Sequence, residues 1–156
     1  MQTSTDPADS NVDLGPAFKW PIRVYYEDTD AGGVVYYANY LKFFERCRTE
    51  WLRSFGIDQA ILARDQGLQF VVAQIESKYH APAQLDDELL IEARVVGLGR
   101  CSMTFEQIAQ RAGLALASAR IKIACVDSRR RPARLPEVIR AGFRVRNVKP
   151  SPSANG

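Results

Sequence analysis

The feature that most limits what this chain can fold into is an amphipathic stretch that follows a glycine turn without a spacer. From Ala38 onward Tyr40, Phe44, Cys47, Trp51 and Phe55 recur at intervals of three and four, and Lys42, Glu45, Arg46, Thr49, Glu50 and Arg53 fall largely between them. Side chains at that spacing return to one face of an α-helix, so a helix from Ala38 to Phe55 is predicted, with an apolar face that another element must cover. Just before it, Arg23–Asp28 (RVYYED) is rich in β-branched and aromatic residues and reads as a strand, and Asp28–Gly33 (DTDAGG) supplies turn chemistry at its end.

This order places a carboxylate, Asp30, ahead of two glycines and a helix N-terminus. The first backbone NH groups of a helix lack intrahelical partners, and the positive end of the helix dipole favours negative charge there. A thioester or ester carbonyl lying across that end would find its oxyanion stabilised by the NH groups of Gly33 to Tyr37, while Asp30 attacked it or activated a water. The same residues have a plainer use, because Asp28, Thr29 and Asp30 are also the types that cap turns and helices. Glu45 and Glu50 are rival carboxylates, but inside the helix they have Arg46, Arg48 and Arg53 as partners. The single histidine, His80, stands on the polar side of its strand with no evident serine or cysteine beside it. A nucleophile–histidine pair is therefore hard to build, and a carboxylate mechanism gains by elimination.

Beyond the long helix, Ile57–Gln66 carries Ile57, Ile61 and Leu62 at helical spacing between Gly56 and Gly67, so a short second helix is expected. The period then changes to two. Val71, Ala73, Ile75 and Tyr79 alternate with Val72, Gln74, Glu76, Lys78 and His80 until Pro82; Leu89 to Val95 repeats the alternation, followed by Cys101–Phe105 and Leu114–Val126. Five strands with one long helix inserted after the first indicate an α+β domain with its helices on one face of an antiparallel sheet.

A chain of 156 residues with 46% apolar content suffices for one domain with a sizeable core. Residues 1–19 mix Ser, Thr, Asp, Asn, Gly and Pro without periodicity and read as a mobile tail, the domain spans residues 20–143, and residues 144–156 form a basic flexible end. Cys47, Cys101 and Cys125 are odd in number and scattered, which indicates neither a disulfide framework nor a zinc site and fits a reducing cytoplasm. No apolar run reaches bilayer length and residues 1–20 lack the features of a signal peptide, so a soluble, unexported protein is expected. The net charge of +3 is uneven: between Arg129 and Lys149 eight basic residues meet only Glu137. Such an end could take the phosphates of a CoA nucleotide, an acidic carrier protein, an anionic membrane or RNA, or simply aid solubility.

The string YEDTDAGGVVYYANY followed by FFERCRTEWL resembles the signature of the 4-hydroxybenzoyl-CoA thioesterase-like hotdog proteins, most of all the Tol-Pal system-associated acyl-CoA thioesterases. The likeness runs from about Trp20 to Phe143 and includes YHAPAQLDDEL and CVD. It implies a hotdog fold, a long central helix wrapped by five or six antiparallel strands, and hydrolysis of CoA thioesters without metal or organic cofactor. It further implies a catalytic aspartate at Asp30, a site tyrosine at Tyr26, substrate contacts at Gly33 and Val34, and CoA contacts at Arg100, Arg131 and Arg134. A homodimer or homotetramer follows from the same likeness, with an acyl carrier protein as the other presenter of the acyl chain and no nucleic-acid partner. Where the Tol-Pal subset usually has His, this chain has Tyr37. The hydroxybenzoyl-CoA branch has an aromatic residue at the matching place and uses its backbone NH to polarise the thioester carbonyl, which is the role implied for Tyr37. A hotdog dehydratase and a non-catalytic binder of acyl-CoA or acyl carrier protein are the competing readings.

Overall fold

A computed structural model describes residues 16–146, with side chains as far as residue 143. Most of the expected N-terminal tail and the last residues of the basic end lie outside the described residues. The elements are β1 (Phe18–Arg23), α1 (Asn39–Ser54), α2 (Gln59–Gln66), β2 (Gln69–Tyr79), β3 (Glu88–Leu98), β4 (Ser102–Arg111), β5 (Leu114–Val126) and α3 (Glu137–Arg146). The strands form one antiparallel sheet in the order β1-β3-β4-β5-β2. Five strands is the lower of the two numbers expected.

The first strand begins and ends earlier than its composition suggests. Phe18 to Arg23 pair with Ala93 to Glu88, so Phe18 and Lys19 belong to the sheet rather than to a tail ending at residue 19. Pro21 is tolerated because β1 is an outer strand, where a missing NH need not break a ladder. Tyr26–Asp28, expected to continue the strand, instead form a turn of 3-10 helix. The cause is local: the buried Asp28 carboxylate accepts the Tyr25 NH at 2.8 Å and the Asp28 NH returns to the Tyr25 carbonyl at 3.0 Å, which draws this backbone away from the sheet.

Helix α1 matches its expected span to within one residue at each end. Tyr40, Phe43, Phe44, Cys47, Trp51 and Leu52 are buried on it, facing Leu89, Ile91, Ala93 and Val95 of β3 and Met103 and Phe105 of β4. These strands alternate buried and less buried positions because one face rests on the helix. Phe43 and Phe44 are wholly buried, and truncating either to Ala would cost about 3–5 kcal/mol. Helix α2 opens on Asp58, whose carboxylate accepts the NH groups of Ala60 and Ile61, and closes at Gly67 in the left-handed conformation.

Two parts of the fold depart from the alternation read in the sequence. A bulge between Val72 and Gln74 in β2 shifts the phase, so Val72, not Val71, shares the inner face with Phe70, and Ile75 and Tyr79 continue that face beyond the bulge. Helix α3 had no counterpart in the sequence reading, and residues 144–146, expected in a flexible end, complete it. Its Ile139 and Phe143, four residues apart and both buried, close the core where α1 ends, with Phe143 stacked 6.1 Å from Trp51. Among the described residues no helix is long and apolar enough to cross a membrane.

Candidate active site

The loop before α1 is held by its own backbone. The Asp28 carbonyl accepts the Tyr36 NH at 3.0 Å and the Asn39 side-chain amide at 2.8 Å, which fastens the loop to the first turn of α1. Between them the Asp30 NH reaches the Val34 carbonyl at 2.9 Å and the Gly33 NH reaches the Asp30 carbonyl at 3.0 Å. Gly33 sits at φ +77°, a conformation that favours glycine. Val35 donates to the Ala83 carbonyl at 2.8 Å and ties the loop to the segment before β3. Asp30 is thus exposed at the tip of a rigid turn. Its Oδ1 accepts the Gly32 NH at 2.8 Å, the turn role that the plainer reading gave it, while Oδ2 has no partner among the described residues.

The NH groups of Gly33 to Tyr37 divide in two. Those of Gly33, Val35 and Tyr36 are taken by backbone carbonyls, whereas those of Val34 and Tyr37 have no hydrogen-bond acceptor among the described residues. Ala38, the residue at the helix cap position, provides no side-chain cap, so the dipole end of α1 remains open to an anion. A free carboxylate oxygen and free NH donors on one braced loop are the parts needed for acyl transfer with oxyanion stabilisation.

Aromatic rings flank this loop. Tyr37, 60% exposed, meets Tyr36 edge-on at 4.9 Å and Tyr79 of β2 at 5.9 Å, and Tyr79 lies 5.7 Å from Tyr40. The Tyr36 phenol is raised above its ordinary pKa mainly by the Tyr37 phenol, with the Asp30 carboxylate adding to it, and burial raises that of Tyr40. Tyr79 and Asn39 are members of this neighbourhood that sequence pattern does not assign to it, while Tyr36 enters there only through its backbone NH and Asp28 only as a cap. An Asn at a helix start and an Asp five residues after the end of β1 were the available signals. Tyr26 is 81% exposed, and only its carbonyl is engaged, by Thr29.

Arg100, Arg131 and Arg134 come together elsewhere. The Leu135 NH and the Arg140 guanidinium both donate to the Arg100 carbonyl, and Arg131 approaches Asp127 at 3.5 Å. This cluster lies past the C-terminal end of β3, while the Asp30 loop lies beside its N-terminal end, so the strand's eleven residues separate them by on the order of 30 Å. Of the rival carboxylates, Glu50 is paired with Arg53, and Glu45 lines a cavity between α1 and β2. His80 does have a serine neighbour, contrary to expectation: its Nε2 is 3.1 Å from Ser118 Oγ, across strands brought together from 38 residues apart.

A central helix on a five-stranded antiparallel sheet of this order, with a carboxylate turn at the helix start, defines a hotdog domain of the thioesterase type. Residues 32–118 match the Thioesterase superfamily, and the chain belongs to it as a thioester hydrolase. It is 46% identical over 131 residues to the acyl-CoA thioesterase YbgC of Haemophilus influenzae, covering 83% of this chain and 96% of that one. Against the acyl-CoA thioester hydrolase YbgC of Escherichia coli it is 43% identical over 129 residues, covering 81% and 96%. The crystal structure of a probable thioesterase from Bartonella henselae superposes with a TM-score of 0.75 at 39% identity, over 78% of this chain and all of that one.

Proposed function

We propose that the protein hydrolyses an acyl-CoA thioester to the free acid and CoA at the start of α1. One observation carries the reading: the unpartnered Oδ2 of Asp30 shares a braced loop with the unpaired NH groups of Val34 and Tyr37. In this mechanism the thioester carbonyl oxygen takes the Tyr37 NH, with that of Val34 as a second donor. Asp30 removes a proton from water as its oxygen adds to the carbonyl carbon, or adds to that carbon itself. The C–S bond then breaks, and the CoA thiolate leaves and is protonated; where Asp30 is the nucleophile, water then opens the mixed anhydride, which releases the acid and restores the carboxylate. Tyr26, Tyr36 and Tyr37 shape the approach, and no step calls on a metal or organic cofactor.

The assembly proposed with it is a homodimer, free to pair further into a tetramer. Strand β2 is an outer strand of eleven residues with an unpaired edge and exposed Val71, Val72 and Ile75, the kind of edge that a second copy covers. If β2 runs antiparallel to its own copy, its Tyr79 end comes beside the partner's Gln69 end, and Gln69 pairs with Val126 next to the Arg131–Arg134 segment. The basic cluster of one subunit then approaches the Asp30 loop of the other, where it can hold the nucleotide phosphates of CoA or the acidic surface of an acyl carrier protein. The proposed cytoplasmic location rests on the scattered, unpaired Cys47, Cys101 and Cys125, and the link to the Tol-Pal envelope system on the sequence resemblance.

The test is single-turnover hydrolysis of a panel of acyl-CoAs in ¹⁸O-water by the wild type and Asp30→Asn. Label retained in the protein marks Asp30 as the nucleophile, and label confined to the product acid with no acyl-enzyme trapped by hydroxylamine marks it as the base. Unimpaired turnover by Asp30→Asn at an unchanged melting temperature would remove Asp30 from the mechanism and turn attention to Glu45. An absence of turnover across the panel would favour the binding-module reading.

A further inference from the structure

Arg48 is a charged side chain only 8% exposed, facing the core side of α1. Its Nη1 donates to Gln107 Oε1 at 2.9 Å, and Gln107 is fixed in turn by its own donation to the Phe44 carbonyl at 3.1 Å. That amide is neutral, and no carboxylate lies within ion-pair distance of Arg48 among the described residues. A guanidinium has five N–H donors, and an unpaired buried charge is among the costliest things a fold can keep. None of its nitrogens is both sealed from solvent and unbonded, so its unused donors open into the adjoining space.

That space is a cavity of about 120 Å³ with an apolar wall of Leu52, Phe70, Val72, Met103, Phe105 and Ile123, and with the neutral polar Thr49 and Gln59 also in its lining. Glu45, an exposed carboxylate, stands in the same lining and lends Arg48 a favourable field without pairing with it. The cavity is continuous in pattern with the site at the start of α1. Leu41, Glu45, Arg48, Thr49 and Leu52 fall on one stripe of the helix, and Tyr79, Ile75, Val72 and Phe70 run down the inner face of β2 opposite. From Asn39 to Arg48 is nine residues, about 14 Å along the helix. An acyl chain whose thioester lies at Tyr37 and which follows this furrow therefore ends at a buried guanidinium inside an apolar wall.

We propose that Arg48 reads the far end of the acyl group, and that the preferred substrates are thioesters of ω-carboxyacyl groups, with an apolar chain between the thioester and a terminal carboxylate. The assignment rests on the thioesterase reading for the orientation of the chain. A methyl-ended chain of the same length leaves the guanidinium without its counter-charge, and a carboxylate-ended chain supplies it through a forked pair of hydrogen bonds. Gln107 holds the fork in place and is a positioning residue.

The experiment compares kcat/KM for pairs of CoA thioesters of equal length ending in methyl or carboxylate: hexanoyl with adipoyl, octanoyl with suberoyl, decanoyl with sebacoyl. In the wild type the carboxylate member of at least one pair should be favoured by about tenfold or more. Arg48→Met, which keeps length and removes charge, should bring that ratio to one or below, and Arg48→Lys should leave it intermediate because the fork is lost. Arg48→Met removes a costly buried charge but leaves the buried Gln107 Oε1 without its donor; if its melting temperature falls sharply, the ratio in Arg48→Lys decides instead. A wild type that turns over methyl-ended chains and shows no preference for any carboxylate partner overturns the inference and leaves the hydrolase intact. Dissociation of the assembly by Arg48→Met, seen by sedimentation, also overturns it, since Arg48 would then answer a carboxylate of a second copy. If no thioester is hydrolysed, titration of the full chain with free suberate separates the two ideas. Binding that weakens about tenfold or more in Arg48→Met supports the cavity assignment without the chemistry, and no binding ends it.

Discussion

The two ends of the sheet make opposite use of polar side chains. At the α1 start a carboxylate is exposed on a loop whose backbone is tied at Asp28, Asp30, Gly33 and Val35, so its freedom is small although its accessibility is high. At the other end Arg100, Arg131 and Arg134 are exposed as well, but what fixes them is mostly their backbone: Leu135 NH on the Arg100 carbonyl, Arg131 NH on Asp127. Rigid placement suits a group that must meet a reacting atom, and loose long cations suit a polyphosphate that needs charge more than geometry. The contrast teaches that one end should govern the rate of the chemical step and the other the strength of binding.

Asp30→Asn is expected to lower kcat by about two to four orders of magnitude with little change in KM, measured by steady-state hydrolysis. A loss of equal size in KM would place Asp30 in binding and erase the contrast. The next test asks whether the ends meet across subunits. Mixing Asp30→Asn chains with Arg100/Arg131/Arg134→Ala chains, with exchange of subunits, should raise kcat/KM at low salt to about a quarter of the wild-type value, because half of the dimers are mixed and each holds one intact pair of ends. No recovery despite proven exchange would mean that each site draws on one chain.

The triple arginine variant alone should raise KM about tenfold at low salt with kcat almost unchanged, and the difference should shrink as ionic strength rises. Closer to the loop, Asp87 accepts the Gln84 NH at 2.8 Å and pairs with Arg111 at 2.6 Å. Burial raises its pKa, but these partners outweigh burial and hold the carboxyl below its usual value. A folded-state pKa below the unfolded one, about 3.9, stabilises the fold above that pH, and the contribution fades as pH falls through the lower folded value. For this partly exposed pair it should be at most about 1 kcal/mol. Asp87→Asn should therefore lower the melting temperature slightly at neutral pH and not at all in strong acid, as read by calorimetry. The smallest effect is expected of Tyr37→Phe, which keeps the backbone NH and the ring contact with Tyr79, and should retain turnover to within about twofold. Abolished turnover with binding intact would make the phenol itself catalytic.

Sequence pattern carried the elements that bury a face. The three- and four-residue spacing of Tyr40, Phe44, Cys47, Trp51 and Phe55 located α1 almost to the residue, since only a helix brings those side chains to one side. It failed where local polar contacts override composition, as at Tyr26–Asp28, and where one inserted residue near Ala73 reverses the phase of a strand. Helix α3 was hidden among arginines, because its apolar signal is a few side chains that matter only once Trp51 and Phe55 are there to receive them. Asp30 stood out as a candidate because its neighbours are glycines and a helix start. Which amide groups stay free was not legible, because Val35 and Tyr36 are occupied by Ala83 and Asp28, partners set by tertiary structure.

The docking of α3 has a consequence for how the chain is made. A Cβ on Gly142 would come within 2.4 Å of the Phe55 ring, so this turn of α3 lies flush against the end of α1. Trp51 and Phe55 are synthesised early, yet their cover, Phe143, is among the last described residues to leave the ribosome. Phe105 can cover one side of Trp51 once β4 is made, but the side that meets Phe143 is expected to stay open until the end of α3 emerges. Elongation pauses within the last stretch, or any residue larger than glycine at position 142, would prolong that exposure and give chaperones and proteases a longer interval in which to act.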